Sequence, residues 1–440
     1  MKLRLIASSL LLSLNLSCDG SSDDNNIKEQ QDNDENSGDI TSDGPAIDPD
    51  AIEEGSIDES TPFSLADLAA YSKKDVLVGL AKNLSIPTHE RFAQDLTLLD
   101  ASHSAHCIAP TDETQRALEG SWRQAMNTFQ ILDAFKWGPL AEQNDTLRFE
   151  IYSWPQTNSC WIDREVIASA GDDYAISTNF NRKGLDALEY LIYDIDLSHS
   201  CSAAVPATQG WNELAENDKI DARCRYGALI VDDLINQNEQ VLEAWTQAGG
   251  TLDQIVNDSV DFDREFNRLT DTLYYLDKQT KDAKLLQPLG IIDNCQLEVC
   301  LQKVEHPVSD TSLGSILYNI VGFQSAMEGY PIDLNLSLEE QRKIAPGINA
   351  LLVASGRSDF VERLTVKTEA AKVLAKQITS KNTRLSEEIK AGVDCGTNGD
   401  LSASICELTE KIRQVSNELK TEFAEILSIK VPAAASGDND

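Results

Sequence analysis

The chain has 440 residues, 73 of them acidic and 37 basic, for a formal charge of −36 at pH 7. So acidic a protein repels nucleic acid and anionic headgroups and favours cations and basic partners. No basic stretch with interleaved aromatics interrupts the pattern, which excludes a nucleic-acid partner.

Residues 1–17 read as an export signal. Lys2 and Arg4 form a basic start, residues 5–14 an apolar run too short to span a bilayer, and Ser17-Cys18 a small residue before a cysteine. The context Leu14-Asn15-Leu16-Ser17-Cys18 is similar to a bacterial lipoprotein processing site, with Asn15 where an aliphatic residue is usual. Cys18 is therefore the expected lipidation site, anchoring the protein to a membrane of the cell envelope. An ordinary cleaved signal is the alternative. Residues 18–60 form the expected disordered tether. Between 19 and 60 the only basic residue is Lys28 and there is no aromatic, so too little apolar surface is available to offset the entropy of ordering. A flexible coil of this length spans roughly 35 Å.

From Thr61-Pro62-Phe63 onward the pattern is helical. Proline after a capping residue opens the body, and Leu65, Leu68, Ala69, Val76, Leu77, Leu80 and Ala81 follow at helical spacing. Further helices are expected over 114–137, stopped by Gly138-Pro139, and over 181–193, 218–249 and 253–284. Others are expected over 311–327, 358–391 and 401–429. Strand-like alternation is nearly absent. The fold class is all-α, and a body of this length exceeds what one core usually serves. Two helical-bundle domains are expected, 61–250 and 251–430, with a disordered tail over 431–440.

Nine cysteines are present, and eight remain once Cys18 is set aside. An even number in an exported chain favours disulfides, and the absence of any C-x-x-C argues against structural zinc. Cys295 with Cys300 and Cys395 with Cys406 each close a short segment, so local bridges are expected there. The pairing of Cys107, Cys160, Cys201 and Cys224 stays open.

The segment Gly184-Leu185-Asp186-Ala187-Leu188-Glu189-Tyr190 sets two carboxylates three residues apart, on one face of a helix with apolar flanks. An all-oxygen pair suits harder cations, iron or another oxygen-preferring metal. Two carboxylates are too few for a site by themselves, and a buried polar network would satisfy them equally well. Among the histidines, His103 and His106 suit a polar helix end near a disulfide, and His306, before Pro307, receives no role. Trp122, Phe135, Trp137, Trp154 and Trp161 line either a ligand cleft or the core.

The order of motifs carries a resemblance. Trp122-Arg123-Gln124-Ala125 is followed by Asp133-Ala134-Phe135-Lys136-Trp137-Gly138-Pro139, then Ser153-Trp154-Pro155, then the acidic helix. Lys284-Leu285 with Pro288-Leu289-Gly290 comes next, and Val304-Glu305, Ser309, Ser312-Leu313 and Asn319 after it. This series resembles the imelysin family, the peptidase M75 grouping of bacterial envelope proteins, over residues 65–428. The family's G-x-H-x-x-E histidine is Asp186 here. The resemblance implies two helical domains meeting at a cleft. Asp186 and Glu189 would serve there as metal ligands, with Trp122, Asp133, Lys136, Trp154, Glu305, Ser309 and Ser312 contacting the ligand.

Peptidase chemistry is not expected. No H-E-x-x-H occurs, since His89-Glu90 is followed by Arg91-Phe92-Ala93, whereas a zinc peptidase needs about three ligands and a general base. The resemblance implies capture of a metal ion or a metal-bearing ligand, in iron uptake, with an envelope transport partner. The alternatives are an interaction protein that has lost the metal site and, less favoured, a metal-dependent peptidase.

Overall fold

The computed structural model describes residues 64–171, 173–292, 300–391 and 404–432, with Cys395 and Ala435. Cys18, the acidic tether, the Thr61-Pro62 opening and Cys295 lie outside them. Every regular element among the described residues is a helix, so the all-α expectation holds. All of these residues belong to the unit Ser56–Asp440.

The helices, in chain order, are α1 (Lys73–Leu80), α2 (Ile86–Ile108), α3 (Asp112–Ala134), α4 (Thr146–Ile151), α5 (Ser159–Ala168) and α6 (Leu185–Tyr193). There follow α7 (Glu216–Thr246), α8 (Thr251–Val256), α9 (Phe262–Leu273) and a π-helix over Leu276–Leu286. The remainder comprises α10 (Ser312–Glu328), α11 (Leu338–Gln341), α12 (Ile348–Ala354), α13 (Ser358–Ser380), α14 (Leu385–Lys390), α15 (Ser404–Glu418) and α16 (Ala424–Ile426). None of the described helices is long and apolar enough to cross a membrane.

Local chemistry explains most boundaries. Ser72 and Asp75 form a capping box at α1, and Thr111 and Thr114 form another at α3, each satisfying backbone donors that a helix start leaves open. α3 ends at Ala134, short of the expected stop at Gly138-Pro139, where Gly138 takes φ 60, and α10 ends at Gly329, φ 89. The continuous helix expected over 253–284 is instead three pieces. α8 closes at Asn257, Asp258 takes φ 56, and the Asp261 side chain caps α9. The helix expected over 358–391 is likewise divided, at Asn382, φ 53.

The long helices bury their apolar stripes together: α2 packs on α3 and α7, α3 on α10, α10 on α13, and α13 on α15. Trp122, Phe129, Trp245, Phe266, Phe323 and Phe360 are among the fully buried side chains. The expected boundary at Gly249-Gly250 falls in the turn between α7 and α8, and one contiguous apolar cluster includes residues from both sides of it.

Disulfides fix several long connections. The expected Cys395–Cys406 bridge is present, and Cys107–Cys224 and Cys160–Cys201 resolve the four cysteines left open. Cys300 is disulfide-bonded as well. Cys107–Cys224 ties the end of α2 to α7 across a separation of 117 residues, a constraint on the unfolded chain of about 5 kcal/mol in the loop-entropy account.

Candidate functional site

The acidic helix begins at a position only glycine tolerates. Gly184 has φ 89, and a Cβ there would stand 2.7 Å from the Ile151 carbonyl oxygen. That close approach sets α6 against the 151–157 segment and buries both Asp186 and Glu189. The expected pair thus lies in the interior, but each carboxylate has its own set of donors.

Asp186 faces the Ser153-Trp154-Pro155 turn, whose Trp154–Pro155 peptide is cis. Its carboxylate accepts from the Ser153 amide at 3.4 Å, the Ser153 hydroxyl at 2.9 Å and the Thr157 hydroxyl. Burial raises its pKa, and the Thr157 and Ser153 hydroxyls work against that rise.

Glu189 reaches to the other side of the site. Its Oε1 accepts from the Ser309 amide at 3.0 Å and the Ser309 hydroxyl at 2.9 Å, and its Oε2 lies 2.7 Å from His306 Nδ1. His306 Nε2 is 2.8 Å from Ser315 Oγ. Burial pushes this imidazole down, but Glu189 and Glu305 outweigh burial and hold its pKa above the ordinary value. The Ser312 hydroxyl accepts from the His306 amide at 3.3 Å, so Ser312 braces the same loop.

Beneath His306 lies a fully buried ion pair, Lys284 with Glu305 at 2.8 Å. The π-helix carries Lys284 inward, where its ammonium also donates to Gln130 Oε1 and Asn319 Oδ1, each at 2.7 Å. All three ammonium donors are thereby used. Glu305 Oε1 accepts further from the Tyr152 hydroxyl at 2.7 Å and the Gln130 amide at 3.1 Å. Burial raises the Glu305 pKa, yet Lys284 and His306 outweigh it and hold the carboxyl below its usual range.

The other expected residues divide into three groups. Asp133 makes a two-pronged pair with Arg148, both bonds 2.9 Å, and accepts from the Tyr275 hydroxyl at 2.6 Å. Trp122 is fully buried, donates to the Leu185 carbonyl at 2.8 Å and packs edge-on against His306. Trp154 is buried with its ring 5.8 Å from the Lys284 ammonium. Lys136 does not join this network. It pairs with Asp145, in the loop before α4. His306, which received no role from sequence, stands at the centre, and Arg148, Tyr152, Gln130 and Tyr275 were also missed. The adjacency of Glu305 and His306 was the available signal.

These groups do not fit a resident metal ion as they are arranged. Protein donors already occupy Asp186 and Glu189, and among the described residues no set of three or more His, Cys, Asp or Glu side chains is placed to hold one. What opens above the network is a cavity of about 500 Å³ lined by polar side chains. Ser309, the residue that holds Glu189, is part of its wall, with Val308 and Asp310 from the same loop. Arg123 and Tyr193 line it from α3 and α6, and Ser386 and Lys390 from α14.

Comparison with known proteins agrees with the all-α fold. The imelysin family model, peptidase M75, matches residues 85–419. No curated protein matches the chain. Among solved structures, the chain is similar to a Parabacteroides distasonis protein described as an iron-regulated protein A precursor, at 13% identity and a TM-score of 0.57. The alignment covers 84% of this chain and 96% of that one. It is also similar to an imelysin-like protein from Psychrobacter arcticum 273-4, at 15% identity and a TM-score of 0.58, covering 84% of this chain and 98% of that one. At such identities the likeness shows the fold.

Proposed function

The chain belongs to the imelysin family, and on that premise we propose that it is an exported, lipid-anchored protein of the bacterial envelope that binds a small polar ligand. A metal, iron included, would arrive as part of that ligand. The observation that carries this reading is the cavity of about 500 Å³ whose wall residue Ser309 is bonded directly to Glu189. A volume of that order suits a small molecule. Two buried pairs lie under it, Glu189 with His306 at 2.7 Å and Lys284 with Glu305 at 2.8 Å, and act as its frame. The export signal, the Cys18 context and the disulfides support the envelope location. A peptidase finds less support, since the sequence lacks a metallopeptidase motif and the buried carboxylates are already engaged.

Calorimetric titration of the full chain, purified in detergent, tests the reading. Small polar organic molecules and free iron, zinc, calcium and manganese serve as separate titrants, with Val308→Trp added to fill the cavity from its exposed rim. Stoichiometric binding of an organic molecule, lost in Val308→Trp, supports the proposal. Stoichiometric binding of a free metal, lost in Glu189→Ala, would replace it with direct metal capture at the acidic helix.

A further inference from the structure

The second half of the chain repeats the start of the acidic helix with an amide in place of its first carboxylate. Gly184-Leu185-Asp186-Ala187-Leu188 opens α6, and Gly347-Ile348-Asn349-Ala350-Leu351 opens α12. Both glycines lie where a Cβ would strike backbone, 2.7 Å from the Ile151 carbonyl oxygen at Gly184 and 2.3 Å from the Gly329 nitrogen at Gly347. Asp186 and Asn349 therefore hold the same place in their helices, and both are buried. Their neighbours correspond as well. α6 packs on α3, which carries Asp133 and its partner Arg148, while α12 packs on α10, which ends on Glu328 beside the charge of Arg342.

We propose that this second position is a binding site for one water molecule, held by Asn349 and Gln324. In the first half the Ser153 and Thr157 hydroxyls satisfy Asp186. Asn349 Oδ1 has no such donor, and neither has Gln324 Oε1. Gln324 is oriented by donating from Nε2 to Glu369 at 3.2 Å, which leaves Oε1 as its unsatisfied end. Each residue is 2% exposed, and both line a cavity of about 10 Å³ together with Glu328, Thr365 and Thr368. A space of that order holds a single water, and buried polar atoms without protein partners are the ones that such waters bridge. The two O–H groups of one water match the two amide oxygens.

Size and charge exclude the other occupants. The cavity is too small for an organic molecule. A metal ion would add a positive charge where two are already in place: Arg342 and Lys372 both act on Glu328, and Lys372 pairs with Glu369 at 2.8 Å. A neutral water meets no such repulsion. It stands in for the hydroxyls of the 153–157 turn, so the second half keeps the frame of the acidic helix without its carboxylate.

Oxygen-17 magnetic relaxation dispersion of the full chain, purified in detergent, counts long-lived waters and tests the site. Asn349→Leu and Gln324→Met should each lose one such water relative to wild type. The double variant should also lose one, because the two side chains share it. Asn236→Leu, on the exposed face of α7, should lose none. Circular dichroism establishes that each variant is folded. Folded single variants that keep every long-lived water overturn the proposal, and a loss of two in the double variant overturns the shared site. Crystals of the wild-type chain give a reading that needs no variant. One density peak within about 3.2 Å of both Asn349 Oδ1 and Gln324 Oε1 is expected. The lack of a peak there overturns the water site, and a peak that gains anomalous signal on exchange into rubidium replaces the water with a monovalent cation.

Discussion

His306 Nδ1 lies 2.7 Å from Glu189 Oε2, joining two residues 117 positions apart in sequence. The contact closes a chain of polar groups that runs from the Ser309 loop through Glu189 and His306 to Glu305 and Lys284. Both partners are buried, so the attraction is little screened and neither charge has water to fall back on.

The two residues should therefore be strongly coupled. His306→Phe leaves the Glu189 carboxylate buried without its ion partner and should cost about 3–5 kcal/mol. Glu189→Gln removes the charge but keeps most of the shape, and should cost about 1.5–3 kcal/mol. The double variant should lose less than the sum of the two. Urea unfolding of all four proteins measures this, and additive losses would show that the contact contributes nothing of its own.

A second buried histidine gives a pH dependence of opposite sign. His89 donates from Nδ1 to Asn238 Oδ1 at 2.8 Å, and burial pushes its pKa down to about 4 while Asn238 opposes. A depressed folded-state pKa means the neutral form is preferred. Its contribution is complete above about 6.5, the unfolded value, and is lost as pH falls through 4. Wild type and His89→Gln should therefore converge by about 2–3 kcal/mol between pH 7.5 and 4. His306, with its pKa raised, contributes below the unfolded value and loses that contribution as pH climbs through its folded one. A difference between wild type and His89→Gln that is flat with pH would show that His89 is not buried in its neutral form.

How much of this was legible follows from the range over which each signal acts. Helical spacing is local, so the class and most helices could be read directly. The π-helix over Leu276–Leu286 could not, because apolar spacing does not register one extra residue per turn. That element brings Lys284 to Glu305. Asp186, Glu189, Glu305 and Ser309 were reachable through their motif, but which donors each would meet was not. A buried histidine and an exposed one look alike in sequence, and His306 is distinguished by a partner far along the chain. Cys107 and Cys224 were hidden for the same reason, while Cys395 and Cys406 were not.

The crossing of α3 and α10 sets the depth of the whole network, and Gly322 sets the crossing. A Cβ on Gly322 would stand 2.5 Å from the Ile131 carbonyl oxygen and 2.9 Å from Ala134 Cβ, so neither neighbour can yield by rotating a side chain. Asn319, one turn earlier on α10, donates to the Gln130 carbonyl on α3 at 2.9 Å. Pushing the helices apart would strain that bond and the Lys284 contacts that depend on it. Gly322→Ala gains up to about 1 kcal/mol of helix preference, but overpacking of this kind costs about 1–3 kcal/mol, and the displaced polar groups add to the loss. Net destabilisation is expected, read as a lower urea midpoint with an unchanged slope. Gly120→Ala is the control: it lies within α3 with nothing inside 4 Å of the added methyl, and should stabilise by about 0.5–1 kcal/mol. If both variants gained stability, the close approach of α3 and α10 at Gly322 would be wrong, and with it the frame that positions Gln130 and Asn319 around Lys284.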